Sequence, residues 1–159
     1  LRTPALSPGS LNRPEATAKA FHDGWYRTGD IMRRDDNGFF YFVGREDDMF
    51  VCGGENIYPG QVEALLERHP AIMQAAVIPM PHATKGQAPA AFVVAAPGEI
   101  LTEEAVKRFA LEQGPAFAHP RRVFILDALP LGGTRKVDKR ALAALLDDEK
   151  AEVAESSRG

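Results

Sequence analysis

Apolar residues come in short bursts separated by turn residues, and the spacing inside each burst predicts an element. Residues 31–34 and 39–43 are β-prone runs flanking Asp35-Asp36-Asn37-Gly38. Asn-Gly between such runs is a hairpin signal, because both central turn residues must accept positive φ. Residues 49–52 predict a short strand, Gly53-Gly54 its turn, and residues 56–58 the returning strand. From Pro59, the positions Val62, Leu65 and Leu66 share one helical face, which ends at His69-Pro70. Residues 75–79 and 90–95 are continuous apolar runs, the pattern of buried strands. Thr102 is placed to cap a helix whose first turn holds Glu103 and Glu104, favourable at the positive helix end, with Val106, Phe109 and Ala110 inward. Residues 123–126 predict a further strand. Asp138 then caps a last helix that buries Leu142, Leu145 and Leu146, and from Asp147 the chain turns polar and frays.

Residues 1–21 are turn-rich, punctuated by Pro4, Pro8, Gly9 and Pro14, and Pro14 opens a short helix through Ala18 to Phe21. The composition changes between Arg45 and Asp47. This predicts three parts: a β-rich remnant (residues 1–45), a compact α+β domain (residues 46–146) and a polar tail (residues 147–159). The α+β domain is expected to hold a central short β-sheet flanked by helices and a β-hairpin, at an ordinary domain size. No internal repeat is visible.

Bulk properties narrow the function classes. Apolar residues make up 45% of the chain, as in an ordinary globular protein. With 19 basic against 22 acidic residues, nothing points to a nucleic-acid or membrane surface, and no apolar run reaches membrane-spanning length. A single cysteine, Cys52, forbids an internal disulfide and suits a reducing, cytoplasmic compartment; it is expected as a small core residue. No spacing suggests metal ligands. The chain begins at Leu1 in mid-stride and reads as a piece of a larger protein.

Three segments hold the candidate chemistry: Trp25-Tyr26-Arg27-Thr28-Gly29-Asp30, Gly44-Arg45-Glu46-Asp47-Asp48, and Leu129-Pro130-Leu131-Gly132-Gly133-Thr134-Arg135-Lys136-Val137-Asp138-Lys139-Arg140. By residue type alone each has an ordinary role. Asp30 bonds its own turn, Arg45 solvates a surface, Gly53-Gly54 closes a hairpin, and Lys136 is a solvated charge beyond a glycine-rich, flexible loop. Taken together and in this order, the segments resemble the C-terminal end of the adenylate-forming enzymes, the acyl-CoA synthetase and luciferase-like superfamily.

The resemblance implies that residues 1–45 end a large nucleotide-binding domain and that residues 46–146 form the mobile C-terminal domain. It implies ribose binding by Asp30, a nucleotide contact by Arg45, and a hinge at Asp47. Gly53, Gly54 and Glu55 would border the pantetheine channel, and Lys85, His119 and Arg121 would be weaker candidates for contacts with CoA. Lys136 would be the cation essential to adenylation. The substrates implied are a carboxylic acid, ATP and CoA, with AMP as a product and Mg²⁺ arriving on ATP and bound mainly elsewhere. The partner implied is the protein's own N-terminal domain, and the isolated piece is expected to be inactive. The family pattern Pro-Lys-Thr-x-x-Gly-Lys is altered here, where Leu131-Gly132 replace Lys-Thr and Arg135 replaces the glycine. Loading of a carrier protein, a luciferase-like oxidation and non-catalytic nucleotide binding are the alternatives within the same scaffold.

Overall fold

A computed structural model describes residues 1–156, which form two compact units, Leu1–Asp47 and the chain from Asp48 onward. Residues 157–159 of the expected tail lie outside the described residues.

The first unit opens with α1 (Pro14–Ala20), which has proline in its first turn. Strands β1 (Phe21–His22) and β2 (Trp25–Tyr26) then pair through Asp23-Gly24, whose φ values of 50° and 76° define a two-residue hairpin turn. The Asp-Gly dipeptide carried that signal, but the sequence reading did not use it. β3 (Asp30–Arg34) and β4 (Phe40–Arg45) form the expected second hairpin, with a different turn. Gly38 adopts φ 88°, whereas Asn37 does not enter the left-handed region. Gly38 N donates to Asp35 O (3.0 Å), and Asp35 N donates to Phe39 O (3.0 Å). This is a three-residue connection with one left-handed corner. The Asp35 carboxylate sets it by accepting from Phe39 N and the Tyr41 hydroxyl, both at 2.9 Å.

The second unit runs β5 (Phe50–Cys52), β6 (Glu55–Ile57), α2 (Pro59–Leu66), β7 (Ile72–His82), β8 (Gly86–Ala95), α3 (Glu103–Gln113), β9 (Arg122–Leu126) and α4 (Lys139–Ser156). β8 is the spine of a five-stranded sheet. It pairs antiparallel with β7 along its whole length, meets β5 at Cys52↔Gly86, and takes β9 in parallel from Ala90 to Val94. Alternate residues of β7 and β8 enter opposite layers. Val77, Ala91 and Val93 pack with Val62 and Leu66 of α2 and Val106 and Ala110 of α3. Ile78, Phe92 and Val94 pack with Leu142 and Leu146 of α4. Phe92 also stacks on Phe124, with ring centroids 4.7 Å apart. Fully burying a side chain such as Phe92 or Leu142 contributes roughly 1.5–3 kcal/mol. The α+β class and the sheet flanked by helices are as the pattern predicts, and Cys52 is a buried core residue.

Three expectations are corrected. β7 and β8 extend well beyond residues 75–79 and 90–95. Pro79 and Pro81 sit on an edge strand, where a missing N–H breaks no ladder bond. Leu145 is not buried: Leu142 and Leu146, one helical turn apart, fill the seam and leave Leu145 41% exposed. Finally, α4 continues to Ser156 rather than fraying at Asp147, because alanine, glutamate and lysine favour helix.

Candidate functional site

In the first unit, Arg45 organises the ribose-binding candidate. Its Nη1 donates to Asp30 Oδ1 (3.0 Å) and to Thr28 O (2.8 Å), and its Nε donates to Asp47 Oδ1 (3.1 Å). These bonds hold the guanidinium more firmly protonated than an ordinary arginine, Asp47 contributing first and Asp30 next. Asp30 does not close its own turn with its side chain. Thr28 does, by accepting from Asp30 N at 3.1 Å, so the Asp30 carboxylate faces Arg45 instead. Gly29 has φ 76°, and a Cβ there would fall 3.1 Å from Arg45 Nη2, so glycine lets the guanidinium lie across the turn. An open concavity of ≈ 560 Å³ beside these groups is lined by Thr28, Gly29, Arg45, Glu46, Asp47 and Lys19 of α1. Arg27 pairs with Glu46 at 2.6 Å on the exposed rim.

In the second unit, Gly53 and Gly54 take φ 59° and 92° and turn β5 into β6. Gly53 N donates to Lys85 O (3.1 Å), so the structure brings Gly53, Gly54, Glu55 and Lys85 to one edge of the sheet. His119 donates from Nδ1 to Ala116 O and accepts at Nε2 from Arg121 Nη1. Burial pushes the His119 pKa down. Arg121, Lys85 and Lys107 act in the same direction, against the Ala116 bond, which raises it. These groups therefore share one electropositive neighbourhood. Lys107, which the sequence reading missed, stands there on α3, paired with Glu103 at 2.7 Å. The signal for it was its place one turn after Glu103 on the same helix.

The segment before α4 is not a flexible loop but a closed hairpin. Leu131 bridges to Val137, Arg135 N donates to Gly132 O (2.9 Å), and Gly132 N donates to Lys136 O (2.8 Å). Arg135 takes φ 58°, the left-handed corner, which costs a residue with a Cβ roughly 1–2 kcal/mol. Asp138 caps α4 by accepting from Arg140 N (3.0 Å) and Ala141 N (3.2 Å), and Asp138 N donates back to Pro130 O (2.8 Å). Lys139 pairs with Asp48 at 2.7 Å, tying the start of α4 to the start of the unit, a contact that local sequence does not signal. Lys136 is exposed at the hairpin's end and forms no ion pair among the described residues. Also among the described residues, no group of three His, Cys, Asp or Glu side chains is arranged to hold a metal ion, and no helix is long and apolar enough to cross a membrane.

Comparison with known proteins places this arrangement among the C-terminal domains of adenylate-forming enzymes. Residues 61–136 match the AMP-binding enzyme C-terminal domain. The 2-succinylbenzoate–CoA ligase of Bacillus mycoides (strain KBAB4) is 38% identical over 148 residues, 93% of this chain and 30% of the relative. That of Geobacillus kaustophilus (strain HTA426) is 38% identical over 146 residues, 92% of this chain and again 30% of the relative. The amide bond synthetase of Marinactinospora thermotolerans superposes with a TM-score of 0.83 at 30% identity, covering 91% of this chain and 30% of that one. The o-succinylbenzoate CoA synthetase of Bacillus subtilis, solved with its acyl-adenylate intermediate, gives 0.79 at 32% identity over 86% of this chain and 28% of that one. The chain thus spans about 30% of the length of the curated relatives it matches.

Proposed function

We propose that this chain is the C-terminal part of an AMP-forming acyl-CoA synthetase. Its parent activates a carboxylic acid with ATP and passes the acyl group to CoA. The observation that carries this reading is the exposed Lys136 at the end of a braced hairpin, a cation with no ion-pair partner among the described residues. In the first half-reaction a carboxylate oxygen attacks the α-phosphorus of MgATP, and the bond to pyrophosphate breaks. Both reactants are anions, and a positioned ammonium stabilises the charge that gathers at the transferring phosphorus. In the second, the CoA thiol attacks the acyl carbon, the bond to AMP breaks, and the thiol proton is released.

One site serves both steps if the second unit turns about Asp47 between them. Asp30 then receives the ribose hydroxyls, and Arg45 contacts the same nucleotide. After the turn, Lys136 leaves and the Gly53–Gly54–Glu55 edge borders the pantetheine arm. The electropositive neighbourhood of Lys85, His119 and Arg121 suits the phosphates of CoA. The parent's own N-terminal domain, which residues 1–45 would complete, is the partner that the second unit addresses. The β3–β4 hairpin supports this: it exposes Phe40 and Phe42 on one side and Phe39 and Tyr41 on the other, as strands of a larger sheet would.

The test separates the half-reactions in the full-length parent. Lys136→Ala is expected to cripple adenylation while sparing thioester formation from supplied acyl-adenylate. Equal loss of both steps would remove Lys136 from the assigned role. The 159-residue polypeptide mixed with MgATP, CoA and carboxylates is expected to yield no acyl-CoA, and turnover by it alone would contradict the reading.

A further inference from the structure

Two hairpins in this chain close in the same way. In one, Asp35 O accepts from Gly38 N and Asp35 N donates to Phe39 O; in the other, Gly132 O accepts from Arg135 N and Gly132 N donates to Lys136 O. The corner residue is left-handed in both, at φ 88° for Gly38 and 58° for Arg135. The first hairpin fills that corner with the residue suited to it. The second fills it with an arginine, which is strained there. Nothing within the second unit offsets the strain, because Arg135 is exposed and makes no ion pair or side-chain hydrogen bond among the described residues. Backbone strain kept without a local return is a mark of use elsewhere.

The location narrows that use. Arg135 immediately precedes Lys136, on a hairpin fixed by two backbone hydrogen bonds and by the Asp138 cap. Any movement that delivers one cation delivers the other. We propose that Arg135 is a second phosphate-binding cation, which engages the β- and γ-phosphates of ATP in the same docked state that brings Lys136 to the α-phosphorus. A guanidinium suits this role, since its planar fork grips two phosphate oxygens at once, whereas an ammonium acts as a point charge. Arg135 would thus hold the pyrophosphate leaving group while Lys136 stabilises the transferring phosphorus. The inference rests on the role proposed above for Lys136.

The test uses the full-length parent with Arg135→Gly, Arg135→Lys and Lys136→Ala, each followed by pyrophosphate exchange, MgATP titration and thermal melting. Arg135→Gly is expected to melt at or above the parent's temperature, because the corner is relieved. Its KM for MgATP should rise about tenfold, the scale of one charge-assisted contact. AMP affinity and the thioester step should stay unchanged, and Arg135→Lys should fall between the parent and the glycine variant. An unchanged KM for MgATP in a folded Arg135→Gly protein overturns the proposal. So does an equal loss of AMP affinity, which would place the contact on the nucleoside monophosphate. Lys136→Ala keeps the two ideas apart. If it retains full adenylation, the underlying reading fails; if it loses adenylation while Arg135→Gly is unaffected, only the inference about Arg135 fails.

Discussion

Arg45 donates from Nε to Asp47 Oδ1 across 3.1 Å, and the same guanidinium donates from Nη1 to Asp30 at 3.0 Å. One side chain therefore joins the carboxylate proposed to bind ribose to the residue proposed as the hinge. Lysine at this position would keep the charge but could not span both carboxylates and the Thr28 carbonyl from one planar group. In the parent enzyme, Arg45→Lys is expected to weaken MgATP binding about tenfold, the scale of a lost charge-assisted contact. Isothermal titration with MgATP checks it, and undiminished affinity would show that the bridge is structural only.

Glu63 of α2 accepts from Val77 N on β7 at 2.9 Å. Burial pushes its pKa above 4.5, while the Val77 bond and Lys139 pull it back without cancelling the effect. The folded state thus binds this proton more readily than the unfolded chain. Its cost to stability is fully present above the raised folded pKa and disappears as pH falls through that value to below 4.5. Glu63→Gln keeps an acceptor for Val77 and removes the charge. It is expected to melt above the parent chain at pH 7, with the difference closing toward pH 4. Equal melting temperatures at pH 7 would refute this account of Glu63.

Gly114 ends α3 with an ordinary φ of −137°, so the reason for glycine there is space rather than conformation. A Cβ at this position would fall 2.5 Å from Leu65 Cδ2 and 3.1 Å from Ala110 O. The leucine tip can move, but the backbone oxygen cannot move without disturbing the end of the helix. Gly114→Ala is expected to destabilise the second unit by about 1–3 kcal/mol, the range for overpacking. Adding Leu65→Ala should recover part of that loss relative to Leu65→Ala alone. Urea unfolding of the four proteins measures the coupling, and strict additivity would rule out the Leu65 contact as the cause.

What the sequence made legible depended on how local the deciding physics was. Thr102 and Asp138 cap their helices through bonds to residues two and three positions on, and Pro14 starts α1, so these ends could be read directly. The lengths of β7 and β8 could not, because each strand's partner sets its end, and Pro79 and Pro81 lose nothing on an edge. The Asn37-Gly38 turn was found, but its type was decided by the Asp35 carboxylate. In the candidate site, Lys136 stood out through its motif. The closure of its hairpin depends on Arg135 accepting a left-handed backbone, which residue type argues against. The Asp48–Lys139 pair joins opposite ends of a unit, and no local pattern announces it.

Gly53 allows the channel proposal to be separated from its plainer role in a turn. It occupies the first corner of a two-residue hairpin turn, at φ 59°, where asparagine is well accepted when glycine follows. A Cβ at Gly53 would meet Lys85 Cγ at 3.7 Å, an ordinary contact, so Gly53→Asn is expected to leave the fold and its melting temperature nearly unchanged. The added side chain nevertheless stands on the edge where the pantetheine arm is proposed to pass. In the parent enzyme, adenylation should therefore proceed normally, while thioester formation slows at least about tenfold, the scale of one obstructed contact. Stopped-flow assay of each half-reaction, with acyl-adenylate supplied for the second, makes the comparison. If both rates match the parent's, Gly53 serves only to turn β5 into β6 and the channel lies elsewhere. If both fall together, the substitution acts through the unit as a whole and not through the path of CoA.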